Sequence, residues 1–82
     1  MTPSTNIHIY PNPAKNFITI ETEKSNETVI AELYDLQGRL TAQQPFENTL
    51  KLDISSFSAG VYFIVIKDDN KAVLHREKVV IQ

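Results

Sequence analysis

The chain has no cysteine. No disulfide can brace it, and no thiolate chemistry is open to it. Histidine is scarce: His8 and His75 are the only two, so a zinc site would have to combine them with carboxylates. No apolar run approaches the ~18 residues of a membrane-spanning helix. Neither sign of charge dominates. Eight Lys and Arg stand against ten Asp and Glu, for a net charge of −2, and the two signs are interspersed. That balance leaves no basic footprint for nucleic acid and no polybasic membrane anchor. The opening Met1-Thr2-Pro3-Ser4-Thr5-Asn6 has neither the basic nor the apolar region of a signal peptide; its abrupt start reads as the beginning of an excised fragment. Internal repeats and low-complexity segments are absent too. What is present is 82 residues, 41% of them apolar, which argues against disorder and suffices for one small domain.

The clearest strand is 60–67, Gly-Val-Tyr-Phe-Ile-Val-Ile-Lys. Val61, Phe63 and Val65 point to one face; Tyr62, Ile64 and Ile66 point to the other. Both sets are apolar, so the expectation is a central strand covered on both sides. The spacing Phe57-x-x-Gly60-x-Tyr62 matches a tyrosine corner, in which a tyrosine at a strand start returns its hydroxyl to the upstream backbone. Gly60 then stands where a positive φ or a close approach excludes a Cβ.

The rest of the chain follows the same period. Residues 1–6 are polar and expected to be flexible. Residues 7–10 alternate as a short edge strand, and Pro11-Asn12-Pro13 ends it as a rigid, extended corner. Strand 17–22 places Ile18 and Ile20 on one face, and 23–27 is a polar loop. In 28–36, Val29, Ala31 and Leu33 share a face opposite Glu32, and a bulge is expected where Tyr34 and Leu36 break the pattern. Gly38 turns a tight hairpin. A polar edge strand returns over 40–44, ended by Pro45. Over 49–54, Leu50, Leu52 and Ile54 face inward while Lys51 and Asp53 face out. Residues 55–59 form a turn, or a single helical turn, with Phe57 plugging the edge of the fold. Asp68-Asp69-Asn70-Lys71 is a hairpin connection. The last strand, 72–82, alternates impurely, which predicts a bulge or a change of sheet near Arg76. Seven short antiparallel strands, with turn signals every ~8–12 residues, give an all-β, immunoglobulin-like sandwich in two sheets.

Candidate chemistry is thin. Asp53, Ser55 and Ser56 lie near one another, but no histidine is placed beside them as a triad requires. Asp68-Asp69-Asn70 has the start of a calcium loop without its spaced ligands or closing glutamate. Asn26-Glu27-Thr28 fits an N-glycosylation sequon. Tyr10, Tyr34, Tyr62, Phe17, Phe46, Phe57 and Phe63 could make a ligand platform only if clustered on one face; scattered along strands, they read as core packing. No cofactor is implied, and the expectation is a protein that is not an enzyme.

Four stretches, in this order, carry a resemblance. They are Tyr10-Pro11-Asn12-Pro13-Ala14-Lys15-Asn16-Phe17-Ile18-Thr19-Ile20, Leu33-Tyr34-Asp35-Leu36-Gln37-Gly38-Arg39-Leu40, Asp53-Ile54-Ser55-Ser56-Phe57-Ser58-Ala59-Gly60-Val61-Tyr62 and Lys78-Val79-Val80-Ile81-Gln82. Together they resemble the type A C-terminal sorting domain of type IX secretion in Bacteroidetes, over about residues 7–82. The resemblance implies a folded secretion signal at the C-terminus of a cargo protein. The cargo would pass the periplasm, be recognised by an outer-membrane translocon, and reach the cell surface or the medium. A sortase-like peptidase would usually remove the domain. The family's motifs fall on Pro11, Asn12 and Pro13, on Gly38 and Arg39, on Gly60 and Tyr62, and on the terminal strand from Lys78 to Gln82.

If the terminal strand is an unpaired edge, it can accept a strand from a partner, or pair two copies as an edge-strand dimer. The expected receptor-facing residues are therefore Gly38, Arg39, Lys78, Val79, Val80, Ile81 and Gln82, with Arg39 and Lys78 steering an acidic partner. The competing reading is an Ig-like accessory or carbohydrate-binding module of a secreted protein. Such a module would display aromatics on a concave face.

Overall fold

The computed structural model describes residues 6–23 and 27–82. Residues 1–5, expected to be flexible, and Asn26 of the sequon lie outside the described residues. The described residues form seven strands: β1 (Ile7–Tyr10), β2 (Phe17–Thr22), β3 (Val29–Tyr34), β4 (Leu40–Phe46), β5 (Thr49–Asp53), β6 (Gly60–Lys67) and β7 (Val73–Ile81). One sheet has the order β1-β2-β5 and the other β4-β3-β6-β7, and every strand pair is antiparallel. No helix occurs among the described residues; 55–59 is a plain turn in which the Phe57 N–H donates to the Ile54 carbonyl.

Period-two alternation builds the core. Ile7 and Ile9, Ile18 and Ile20, Val29, Ala31 and Leu33, Tyr62, Ile64 and Ile66, and Val79 and Ile81 all turn inward, and Ile54 joins them from the end of β5. Ile18, Ile20, Leu33, Ile54, Ile64, Ile66, Val29 and Val79 are fully buried; each such burial stabilises by ~1.5–3 kcal/mol. Leu50, Leu52 and Phe57 pack against this core while partly exposed.

Four expectations need correction. Strand β6 is interior to its sheet but covered on one face only. Tyr62, Ile64 and Ile66 are buried, whereas Phe63 on the other face is 41% exposed. The other sheet can lie against one side only, so an apolar run on both faces overstates the cover. Pro45 does not end β4 but sits inside it. As an edge-strand residue it aligns with Ile30, and an edge tolerates a residue that cannot donate. The bulge in the last hairpin falls between Ile66 and Lys67, where Leu74 has no partner, rather than at Arg76. The impure alternation has a further cause. His75 and Glu77 occupy half-buried inward positions of an edge strand and satisfy one another at 2.9 Å. Finally, the Pro11–Pro13 segment is not extended. The Tyr10-Pro11 and Asn12-Pro13 peptides are both cis, and the chain bends at Asn12 and Pro13. The bulge expected in β3 is present, between Leu33 and Tyr34.

The registers give the sandwich two poles along its 38 Å axis. At one pole lie Ile7 opposite Thr22, Val29 opposite Phe46, and Lys67 opposite Val73. The Thr22 N–H donates to Asn48 there, and Glu23 donates to Asn6, where the described chain begins. At the other pole lie Phe17 opposite Asp53, Tyr34 opposite Leu40, and Gly60 opposite Ile81.

Candidate recognition site at the C-terminal pole

The four stretches singled out in the sequence converge at this second pole, although Asn12 and Val80 are 68 residues apart. The bent corner lies along the outer edge of β7. The Asn12 amide Nδ2 donates to the Lys78 carbonyl at 3.1 Å, and the Val80 N–H donates to Asn12 Oδ1 at 3.0 Å. One side-chain amide thus stands in for a peptide of a neighbouring strand. Ala14 continues the line. Its N–H donates to the Val80 carbonyl, and its carbonyl accepts from the Gln82 N–H, both at 2.8 Å, which makes a parallel bridge from Ala14 to Ile81. The terminal segment is therefore held on both sides. The expectation of an unpaired edge at 78–82 is overturned, and with it edge pairing through those residues. The missed signal is Asn12 itself. An asparagine between two prolines carries both a donor and an acceptor, on a segment that cannot form its own ladder.

The β3–β4 hairpin is pinned by one carboxylate. Asp35 Oδ1 accepts from the N–H groups of Gln37 and Arg39, and Oδ2 accepts from Arg39 Nε at 2.9 Å. The Arg39 backbone N–H beside it, helped by the guanidinium, holds the Asp35 carboxyl below its usual range. Gly38 takes φ +82° at the tip, a conformation glycine adopts without a Cβ penalty. The Arg39 side chain stays 75% exposed.

Beside the hairpin, the tyrosine corner is formed as expected. Tyr62 Oη donates to the Ser58 carbonyl at 2.7 Å, and its ring stacks on Phe57 with centroids 6.2 Å apart. Gly60 has φ +150°, and a Cβ built there meets nothing within 4 Å. Backbone conformation, not crowding, selects the glycine. Asp35, Leu36, Gln37, Ala59, Gly60, Val61 and Tyr62 line a pocket of about 160 Å³.

On the outer face of the larger sheet, Glu32 accepts from Tyr34 Oη at 2.7 Å, Gln43 Nε2 at 2.8 Å and Lys67 Nζ at 2.9 Å. Burial pushes the Glu32 carboxyl up, but these three donors outweigh it and leave the group below its usual range. The same contact raises Lys67 and Tyr34.

The remaining candidates are not brought together. His8 lies exposed on β1 and His75 half-buried on β7. Among the described residues no three His, Cys, Asp or Glu side chains gather as a metal site. The Asp53 carboxylate accepts from the Ser55 N–H and hydroxyl, and the Asp68 carboxylate caps its hairpin by accepting from Asn70 and Ala72. The aromatics divide: Tyr62 and Phe46 are buried, while Tyr10, Phe17 and Phe63 are 45%, 39% and 41% exposed. A shallow cleft of about 320 Å³ beside Phe17 is lined by Asn16, Lys51, Asp53 and Ser55. There Lys51 Nζ sits 4.0 Å from the Phe17 ring centroid.

The profile of the family described as "Secretion system C-terminal sorting domain" matches residues 8–82. The chain belongs to this family. It is a type IX secretion sorting signal, a role that carries a protein out through the cell envelope to the surface or the medium. The sorting domain is 28% identical over 79 residues to an "Endo-acting ulvan lyase" of Formosa agariphila, a match spanning 94% of this chain and 15% of the lyase. It also superposes on a solved structure of PorZ, described as an essential bacterial surface component of the type-IX secretion system of Porphyromonas gingivalis. That match has a TM-score of 0.75 and 19% identity, over 94% of this chain and 11% of PorZ. The second likeness shows a shared fold. The sorting domain spans a small part of either protein.

Proposed function

We propose that the C-terminal pole is the surface the outer-membrane translocon reads, and that it is legible only on the folded domain. The observation that supports this most is the convergence there of four stretches distant in sequence, fastened to one another through Asn12, Ala14 and the terminal strand. A signal made of non-contiguous residues exists only after folding. Gly38, Arg39, Lys78, Val80 and Gln82 are the recognition residues in this reading; Val79 and Ile81, expected among them, face inward and are buried in the core, so no partner can touch their side chains. Recognition proceeds through the pole's surface rather than by strand addition at 78–82, because the Lys78 carbonyl, both backbone groups of Val80 and the Gln82 N–H on the outer edge already have partners. A cargo protein joined upstream passes the periplasm with the domain folded, and a sortase-like peptidase then cuts on the N-terminal side of β1. The domain does no chemistry itself; its carboxylates at Asp35, Asp53 and Asp68 are engaged in shaping turns. A carbohydrate-binding role is weaker, since the Lys51 ammonium lies over a face of Phe17 that a sugar ring would need.

The test is a fluorescent reporter with an inner-membrane leader, fused ahead of the full chain in a strain competent for type IX secretion. Export is expected with the translocon and lost without it. Arg39→Gln should reduce export, with at most a small loss in melting temperature from the exposed Asp35 ion pair. Export that persists without the translocon would reject the assignment.

A further inference from the structure

We infer that the pocket beside Gly60 seats one bulky apolar side chain carried on an acidic segment of a translocon protein. This deepens the sorting reading and rests on it. At about 160 Å³ the pocket is smaller than the roughly 300–1,000 Å³ clefts that take free small molecules. Its size suits a single anchoring side chain of the kind that dominates protein interfaces. Leu36, Ala59, Val61 and Tyr62 give the lining its apolar share. Gly60 keeps one wall bare, since the space a Cβ would enter holds no atom within 4 Å.

Apolar ground continues from the mouth of the pocket onto the outer face of the larger sheet. Leu40, Tyr34, Phe63 and Lys78 form one cross-strand row. Leu36 is 64% exposed, Leu40 49% and Phe63 41%. Three large apolar side chains open to water at one end of an 82-residue domain are the usual mark of an interaction surface when polar groups rim them.

The rim identifies the partner. On this face Glu32 is neutralised by Lys67, and Asp35 by Arg39. Arg76 aligns with Val65 and Lys78 with Phe63, and neither cation has an ion pair among the described residues. The chain carries a net charge of −2, yet the charges left over beside the apolar row are both positive. Complementarity then calls for carboxylates flanking the inserted side chain.

The reporter assay tests this with three changes in the full chain: Leu36→Asp at the mouth, Lys78→Glu at the rim, and Val73→Asp at the opposite pole, where Val73 is 44% exposed. Extracellular reporter is measured together with the melting transition of each purified fusion. Leu36→Asp should cut export roughly tenfold or more, as loss of an anchor contact does. Lys78→Glu should cut it severalfold while Lys78→Arg keeps it, and Val73→Asp should export like the parent. If Leu36→Asp no longer melts cooperatively, Leu36→Ser takes its place against the same threshold. Normal export of both the Leu36 and Lys78→Glu chains overturns the pocket while leaving the sorting role intact. Failure of the unmutated fusion to be exported rejects the sorting role itself.

Discussion

Replacing Asn12 by alanine should loosen the terminal strand without touching the core. The change removes two hydrogen bonds, Nδ2 to the Lys78 carbonyl at 3.1 Å and the Val80 N–H to Oδ1 at 3.0 Å. A typical intramolecular hydrogen bond contributes a net ~0.5–1.5 kcal/mol. This site is open to water, which can replace part of what is lost, so the pair is worth about 1–2 kcal/mol. For a domain of this size each kcal/mol moves the melting temperature by roughly 4–8 °C, giving an expected drop of about 4–16 °C. Amide exchange localises the effect: the Val80 amide should lose protection while the Ile64 amide, in the middle of β6, changes only with global stability. Asn12→Asp sharpens the test. It keeps an acceptor for the Val80 N–H but sets a carboxylate oxygen against the Lys78 carbonyl. At neutral pH it should fall with the alanine variant. Below about pH 3.9, the ordinary aspartate value, the protonated carboxyl can donate again, and its deficit relative to the parent at the same pH should shrink. An alanine variant melting within about 1 °C of the parent, with Val80 protection unchanged, would refute the two-sided hold on the strand.

Three further outcomes are expected. Tyr62→Phe leaves the Ser58 carbonyl without its 2.7 Å donor and should cost ~1 kcal/mol in a denaturant titration, with the stacking on Phe57 retained; no change would dismiss the corner. Gly60→Ala meets no atom within 4 Å at φ +150°, so a loss of roughly 1–3 kcal/mol would come from backbone conformation alone, and an unchanged midpoint would remove conformation as the reason for glycine. The Glu32 carboxyl is depressed below its unfolded value of 4.5, so its contribution is present above that pH and is lost as pH falls through the folded value. Glu32→Gln should therefore be less stable than the parent at pH 7 by about 1–3 kcal/mol, with the gap closing on acidification in melts from pH 7 to 3.

The two-sheet fold was legible because nearly every strand alternates. Ile18 with Ile20, and Val29 with Ala31 and Leu33, share faces as their period demands. The turn chemistry of Gly38 and of Asp68 was equally plain, since each depends on local backbone geometry. The return of the Tyr62 hydroxyl to the upstream backbone could be expected from spacing, because its acceptor, the Ser58 carbonyl, lies only four residues back. What a linear reading missed was long-range. Pro11-Asn12-Pro13 reads as a stop to one strand, and nothing nearby in sequence says that Asn12 completes another strand 66 residues on. The exposed face of Phe63 escaped for a related reason. Apolar residues on both faces of a strand look alike in sequence, whether the second sheet covers both or, as here, one. Arg39 and Lys78, proposed above for recognition, were visible in the sequence as charges on motif stretches. Their meeting with Leu36 and Phe63 at one end of the sandwich needed the registers of four strands.

The chain's point of entry at Asn6 and its last residue, Gln82, occupy opposite ends of a 38 Å body. In the reading proposed above, a passenger attached ahead of Asn6 sits at the end away from the pole that carries the motifs. Whatever the bulk or charge of that passenger, the pole proposed for recognition lies a domain's length away from it.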